Sequence, residues 1–447
     1  MTLHRYSHIA GRQLGRSAAV GIVVSALFLT ACGGAGVTGK DTAARLDPKA
    51  NVTINWWTGQ SSDAENLLEK LAKEYTAAHP NITINTSSGA STTDQLLNKL
   101  SAGFVSNTYP DISYTFGSWA TQLGESGRTQ DITALTKAPS FGWDQFPASA
   151  RATATVHGKV IGLPAVVDNL GLIYNKKLFD QAGLSYPTPE WSWDDFRAAA
   201  KKITDSSKGI YGTAYSVSGS EDTTWHLWPM LWQRGGAVLS GDNTRPAFNS
   251  QAGVDAVTFL SDMAIKDKSV YLDQTDAKYG PLFLSGRVGM MISGPWQLYD
   301  LNKNKVDYGI QKLPGFNGDH QTISGPDLWT LFDHKDANRA AAAREFTTWL
   351  TSAATDARWS LVEGNLPLRT SETTTTEYAT FVKQFPGVDV FVANLAEAKQ
   401  PRPTVPGYIE MSRYVGEAIA KAMQGAESPK QALDEAAKKS AGALAGQ

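Results

Sequence analysis

The chain has 447 residues, with 41 lysines and arginines against 43 aspartates and glutamates, and a formal net charge of −2. This balance gives no electrostatic reason to expect nucleic acid or an acidic membrane surface as a partner. The chain is too long for one hydrophobic core, so two domains are expected. Cys32 is the only cysteine, which excludes an internal disulfide.

The N-terminus has the layout of a bacterial secretory segment. Basic residues precede an apolar run over residues 18–29, which is the pattern of a signal peptide and is too short to cross a bilayer. The run ends in Leu29-Thr30-Ala31-Cys32, which resembles the bacterial lipobox. We therefore predict a lipoprotein signal peptide over residues 1–31 and a lipid attached to Cys32. A plain signal peptide with an incidental cysteine is the alternative.

For the rest of the chain, the sequence predicts a tether followed by alternating strands and helices. Residues 32–50 are rich in glycine, alanine and threonine without apolar periodicity, which is typical of a flexible tether. The alternation that follows favours an α/β fold with a sheet of parallel type. The predicted strands are 52–57, 82–84, 111–114 and 170–174, and the predicted helices are 62–78, 93–104, 193–203 (capped by Ser192 and Asp195) and 408–445.

Eight tryptophans lie at or near predicted strand ends, turns and loops: Trp57, Trp119, Trp191, Trp193, Trp225, Trp228, Trp296 and Trp329. In open α/β sheets, ligands bind outside the carboxyl ends of the strands. Indole rings at that edge can cover the apolar faces of a sugar while polar groups bind its hydroxyls. Each of these tryptophans has an alternative role in a core or between domains.

Four stretches of the chain resemble the bacterial extracellular solute-binding proteins of ABC importers, in the group that includes the maltose-binding protein. These stretches are Tyr109–Ile112, Leu163–Lys176, Trp228-Pro229-Met230 with Gly235-Gly236, and Met291–Trp296. The resemblance implies two α/β lobes joined by a hinge, with a ligand cleft between them that closes on the ligand. By the same resemblance, lobe I is 51–164 plus 330–370 and lobe II is 165–329 plus 371–447, with crossings near 163–168, 324–329 and 369.

The resemblance also implies which residues bind the ligand. Trp225 and Trp296 are expected to stack on it, and Asp168 is expected to accept hydrogen bonds from hydroxyls. The alternative for Asp168 is to tie the hinge backbone. The further candidates are Trp57, Gln60, Ser61, Ser118, Trp119, Tyr299, Asp327, Trp329 and Arg369.

Two departures from the maltose-binding pattern bear on the ligand. Thr115 and Ser118 stand where the maltose-binding protein has a tryptophan and an aspartate, and Ser412 stands where it has a stacking tryptophan, with Tyr408 and Tyr414 nearby. We therefore expect a carbohydrate other than a maltodextrin. The runner-up ligand is a glycerophosphodiester or glycerol phosphate, whose phosphate would need a cation such as Arg234, Arg245 or Arg369.

An enzyme is not expected. A secreted glycoside hydrolase is the remote alternative, but no local motif pairs two acids across a scissile bond. The histidines show no HExxH spacing, so neither a metal nor a cofactor is expected. The predicted protein is a monomer, held at the extracellular face of the cell membrane by its lipid, that delivers a small carbohydrate to the transmembrane subunits of an ABC permease.

Overall fold

A computed structural model describes residues 45–60, 62–90, 93–359, 361–400 and 402–445. The predicted signal peptide, Cys32, most of the predicted tether and Ser61 lie outside the described residues. Within the described part, we find no helix with the length and apolar character needed to cross a membrane.

The described elements begin and end close to the predicted positions. The strands are β1 (Val52–Trp57), β2 (Ile82–Ser87), β3 (Ile112–Thr115), β4 (Thr155–Val156), β5 (Lys159–Val160), β6 (Gly162–Val166), β7 (Gly171–Asn175), β8 (Tyr211–Ser216), β9 (Val270–Asp273), β10 (Val288–Ser293), β11 (Tyr308–Gln311) and β12 (Asp327–Leu331).

The α-helices are α1 (Ser62–Ala78), α2 (Thr93–Ser106), α3 (Ala120–Glu125), α4 (Thr133–Thr136), α5 (Ala148–Thr153), α6 (Lys176–Gln181), α7 (Trp193–Ile203), α8 (Glu221–Trp232), α9 (Gln251–Ile265), α10 (Tyr279–Leu284), α11 (Leu298–Lys303), α12 (Ala337–Leu350), α13 (Ala353–Asp356), α14 (Thr376–Gln384), α15 (Val388–Asn394), α16 (Tyr408–Met423) and α17 (Pro429–Ala445).

Local sequence explains several of these boundaries. Along β1, inward and outward residues alternate, which is the pattern of a strand with one face in a core. The predicted cap of α7 is present, because the Ser192 side chain accepts from the Asp195 backbone and the Asp195 side chain accepts from that of Ser192. The predicted C-terminal helix is two helices, since Gly425 adopts a left-handed φ of 76° between them.

Two five-stranded sheets form the frame, in the orders β2-β1-β3-β12-β6 and β11-β7-β10-β8-β9. We call the first sheet with its helices lobe I and the second lobe II. Each sheet is mixed rather than purely parallel. In lobe I, β12 runs antiparallel to both β3 and β6, and in lobe II, β7 runs antiparallel to β10 and β11. The antiparallel strands β7 and β12 directly follow crossings from one lobe to the other, which the simple alternation pattern does not reveal.

The crossings run side by side. The backbone N–H of Leu170 donates to Ile323 O at 3.4 Å, and that of Leu366 donates to Val167 O at 3.3 Å. Leu366 packs in a lobe II core, while Leu368 packs in the lobe I core. Three segments therefore form one narrow bridge between the lobes, and the predicted lobe boundaries stay a prediction.

Candidate functional site

A cavity of about 400 Å³ lies between the two lobes. Most of its lining residues lie at or after the carboxyl ends of β1, β3, β6, β8 and β10. Open α/β sheets bind their ligands at this edge. Its lining residues are Gln60, Ala64, Tyr114, Phe116, Val166, Asp168, Glu221, Asp222, Trp225, Trp296, Gly325, Asp327, Trp359, Glu363, Asn365 and Arg402. Five of the predicted residues therefore meet here: Gln60, Asp168, Trp225, Trp296 and Asp327.

Two carboxyl groups occupy the hinge side of this cavity. Asp168 Oδ1 accepts a hydrogen bond from the backbone N–H of Gly325 at 3.0 Å. Asp327 accepts from the Tyr114 hydroxyl at 2.5 Å and from the Gly117 backbone N–H at 3.0 Å. Asp168 thus ties two crossing segments, the role weighed as its alternative, while it also lines the cavity.

The carboxyl pair at the hinge favours the protonated form. Burial raises the pKa of Asp168 well above its ordinary value, and the nearby Asp327 raises it further. Burial also raises the pKa of Asp327 to about 6, although Arg402 opposes this. Burial therefore favours the neutral form of these carboxyl groups, and a protonated carboxyl group can both donate to and accept from a ligand hydroxyl.

The two predicted stacking residues belong to lobe II. Trp225 lies in the first turns of α8 and Trp296 lies in a short 3-10 turn after β10. A Cβ at Gly325 would lie 2.4 Å from Trp225 Cη2 and 3.0 Å from Asp168 Oδ1. Only glycine at this position lets the indole and the carboxylate approach the crossing backbone so closely.

Arg402 is the cation of this cavity, and the sequence reasoning did not find it. Its guanidinium lies 4.8 Å from the Trp225 ring centroid and 3.2 Å from a Glu221 carboxylate oxygen. Burial lowers the pKa of Arg402, but Glu221, Tyr408 and the hinge aspartates outweigh this and the net pKa is raised. No motif surrounds Arg402 in the chain, so only the folded structure reveals it.

Glu221 was also missed, although a local signal precedes it. Ser220 caps α8 by accepting from the Asp222 backbone N–H at 3.2 Å, which is a recognisable helix start. The Glu221 carboxylate accepts hydrogen bonds from the hydroxyls of Tyr408 and Ser412. Ser412, the position with no stacking tryptophan, therefore fixes an acidic side chain of the cleft.

Three predicted residues lie in lobe I and not in the cavity lining. Trp329 is fully buried and its ring centroid lies 5.1 Å from that of Trp56, because it occupies the middle of a central strand. The Arg369 guanidinium donates to the carbonyls of Thr351 and Phe141 at 2.8 and 2.9 Å. Trp57 lies beneath the Lys99 ammonium, 4.4 Å from the ring centroid.

Three further predicted residues lie elsewhere at the lobe boundary. Tyr299 donates its hydroxyl to Asp63 at 3.0 Å, and Lys303 contacts the same carboxylate oxygen at 3.1 Å. This contact joins α1 of lobe I to α11 of lobe II. Ser118 and Trp119 line a second cavity between the lobes, of about 950 Å³.

Two α/β lobes around a cleft of aromatic and carboxyl side chains define a solute-binding protein of an ABC importer. Residues 59–357 match the family of bacterial extracellular solute-binding proteins, and the chain belongs to this family. The predicted family and fold class are confirmed, and the chain is a binding protein rather than an enzyme.

Individual relatives are distant but cover most of the chain. The cyclic alpha-maltosyl-1,6-maltose binding protein of Arthrobacter globiformis is 27% identical, with a TM-score of 0.75 over 89% of this chain and 100% of that one. A protein of Brucella abortus named as a binding protein is 25% identical over 83% of this chain and 88% of its own length. The sn-glycerol-3-phosphate-binding periplasmic protein of Rhizobium meliloti is 23% identical over 89% and 95%.

Proposed function

We propose that the cavity between the lobes binds a small carbohydrate, which the protein delivers to an ABC permease. The observation that carries this proposal is that Trp225 and Trp296 line one cavity together with Asp168, Asp222 and Asp327. Indole rings match the apolar faces of a sugar ring, and carboxyl groups bind its hydroxyls. The name of the Arthrobacter globiformis relative, a maltosyl-maltose binder, supports a saccharide ligand.

The charges around the cavity weigh against a phosphate ligand, although one relative is named for glycerol 3-phosphate. The acidic lining residues are Asp168, Glu221, Asp222, Asp327 and Glu363, and Arg402 is the single arginine or lysine in the described lining. Arg402 already pairs with Glu221 at 3.2 Å. Even with a protonated Asp168, the other carboxylates outnumber Arg402, so a dianionic ligand would meet more repulsion than attraction.

Two of the three arginines suggested for a phosphate are engaged away from this cavity. The Arg234 guanidinium lies 4.4 Å from the Phe316 ring centroid and donates to Met230 O at 3.1 Å. Arg369 binds carbonyl oxygens inside lobe I. Neither Arg234, Arg245 nor Arg369 belongs to the cavity lining.

A thermal-shift screen tests the ligand class, because a compound that binds only the folded state raises its melting temperature. The panel is glucose, maltose, cellobiose, trehalose, maltotriose, maltotetraose, sn-glycerol 3-phosphate and glycerophosphocholine. We expect stabilisation by saccharides that is insensitive to added NaCl. Stabilisation by the phosphates alone, weakening as ionic strength rises, would overturn the carbohydrate proposal.

We also propose that ligand binding closes the cleft. The three crossing segments form a narrow bridge on which the lobes can rotate. Ligand groups that contact both lobes at once supply the differential affinity that drives closure. Small-angle scattering with a tight ligand should show a smaller radius of gyration than the free protein. An unchanged radius at saturation would contradict closure.

We also propose that a lipid on Cys32 anchors the protein to the cell membrane. Cleavage before Cys32 and acylation of its thiol and amino group would leave the monomeric protein tethered by residues 32–50 at the extracellular face, because two or more acyl chains give stable anchoring. Metabolic labelling with a fatty-acid probe should label the wild-type protein but not Cys32→Ser. An unlabelled mature wild-type protein would remove the anchor.

A further inference from the structure

The space between the lobes is divided into two cavities. The ligand cavity described above measures about 400 Å³, and the second measures about 950 Å³. Trp119, Ser101 and Ser218 are among the residues that line the second cavity, and Glu221 lines both. The division therefore runs through Glu221.

Glu221 is fixed on the lobe II side of this division. Its carboxylate accepts from the Tyr408 hydroxyl at 3.0 Å and from the Ser412 hydroxyl. Tyr408 in turn accepts from the Trp228 indole N–H at 3.0 Å. Because Tyr408 is buried, Glu221 cannot swing aside without removing the acceptor of the Tyr408 hydroxyl proton.

Arg402 continues the division towards lobe I. It pairs with Glu221 at 3.2 Å and is 8% exposed. A Cβ at Gly117 of lobe I would lie 3.3 Å from Arg402 Nη2. Two residues further along, Thr404 O accepts a hydrogen bond from the Thr121 hydroxyl of α3. The Arg402 guanidinium therefore lies between Gly117 of lobe I and Glu221 of lobe II. The hydrogen bond to Thr404 holds the following part of the segment against lobe I.

We propose that the Glu221–Arg402 ion pair is a partition that confines the ligand to the smaller cavity and so limits the length of the saccharide. This inference rests on the proposed carbohydrate function for the class of ligand, but the partition itself is a property of the cleft. A volume of about 400 Å³ lies near the lower end of the range for small-molecule sites, roughly 300–1,000 Å³. Ligands of one or two sugar rings are therefore expected.

A longer ligand would have to open this partition. Entering the second cavity requires breaking an ion pair that is buried on the arginine side, and removing one partner of such a pair leaves the other charge uncompensated. The Arg402 guanidinium also stacks on Trp225 at 4.8 Å, so displacing it would disturb a predicted sugar platform. The partition thus disfavours longer saccharides, because opening it would break the ion pair and disturb the packing of Arg402 against Trp225.

Filling each cavity separately tests the partition. Ser101→Trp places an indole in the second cavity from the exposed surface of α2, whereas Ala64→Trp places one in the first cavity from α1. The ligand is the compound of the panel that stabilises the wild type most, and affinity is measured by titration calorimetry. We expect Ser101→Trp to change Kd by less than twofold and Ala64→Trp to weaken binding at least 100-fold. A tenfold or greater loss with Ser101→Trp would overturn the partition.

Opening the partition gives a second test. Arg402→Ala joins the two cavities, so longer saccharides (maltotriose and maltotetraose, and cellotriose and cellotetraose as a non-maltodextrin series) should stabilise this variant more than they stabilise the wild type, relative to the disaccharide of the same series. Wild-type protein that binds maltotetraose as tightly as its best disaccharide would contradict the proposal. If Arg402→Ala does not fold by circular dichroism, Glu221→Gln, which keeps the side-chain volume and weakens the hold on Arg402, takes its place with the same expectation.

Failure of the partition and failure of the proposed function give different results. If only glycerophosphocholine or sn-glycerol 3-phosphate stabilises the wild type, the carbohydrate proposal fails. The Ser101→Trp and Ala64→Trp pair then tests the partition with that ligand. If a saccharide binds and Ser101→Trp abolishes the binding, the carbohydrate proposal stands and the partition fails.

Discussion

Two pairs of tryptophans, one in each lobe, have opposite environments. In lobe I, Trp56 and Trp329 are fully buried and pack edge to face, with ring centroids 5.1 Å apart and planes at 72°. In lobe II, Trp225 and Trp296 line the cavity between the lobes. The two pairs differ in where they lie relative to the strands. The lobe I pair lies within central strands, whereas the lobe II pair lies in segments that follow the ends of strands. Residue type alone therefore does not separate a stacking ring from a core ring, whereas the place in the sheet does.

The largest effect that separates the two regions is expected for Trp329→Ala. Removing a large buried side chain leaves a cavity, so the free energy of unfolding should fall by about 3–5 kcal/mol. Urea unfolding of the variant measures it. The surviving folded fraction should bind ligand with unchanged affinity. A variant of wild-type stability that has lost its ligand would move Trp329 from the core to the site.

The opposite pattern is expected for Trp296→Ala. Loss of a half-buried stacking ring should weaken saccharide binding about tenfold, which corresponds to about 1.4 kcal/mol. The free energy of unfolding should change by less than about 1 kcal/mol. Calorimetric titration beside urea unfolding checks both values, and a large loss of stability at unchanged affinity would place Trp296 with the core residues.

The carboxyl groups of the cleft also make the stability depend on pH. Burial raises the pKa of Asp327 and of Asp222 to about 6 each, whereas an aspartate in the unfolded chain titrates near 3.8. Between these pKa values the folded state binds protons that the unfolded state does not, so its stability is greater there than at neutral pH. We expect the free energy of unfolding to rise from pH 7 to pH 5 by on the order of 1 kcal/mol for each group.

Asp222→Asn provides the control for this pH effect. The amide cannot titrate, so the rise in stability between pH 7 and pH 5 should be smaller in this variant than in the wild type. Urea unfolding at both pH values measures it. An equal rise in the two proteins would mean that Asp222 does not carry a raised pKa.

The smallest effect is expected at the rim of the cleft. Asp63 binds Tyr299 and Lys303 across the lobes, and exposed ion pairs of this kind contribute about 0–1 kcal/mol. Asp63→Asn should leave the free energy of unfolding nearly unchanged and increase the ligand dissociation rate a few fold, measured by stopped-flow fluorescence. Lys73→Met, which breaks the exposed pair with Glu69 inside α1, should leave that rate unchanged. Equal rates in wild type and Asp63→Asn would exclude a role for this contact in holding the cleft closed.

The sequence was sufficient for the fold and for part of the site. Periodicity and capping located most early elements, and the family motifs placed Asp168, Trp225 and Trp296 near one another. Trp329 lies in the core and outside the cavity lining, which the sequence could not show, because a strand residue near a crossing can face either the cleft or the core. Arg402 and Glu221 were missed because their partnership joins residues far apart in the chain through tertiary contacts that leave no local pattern.

The position of β12 sets the order in which the molecule can be assembled. This strand fills the gap between β3 and β6, yet it follows all of the second sheet in the chain. Until β12 pairs with them, β3 and β6 each keep an unpaired edge that could join another chain. Pairing between strands that are far apart in the chain forms slowly. A newly made polypeptide therefore cannot complete the sheet of lobe I before all the strands of lobe II have been synthesised.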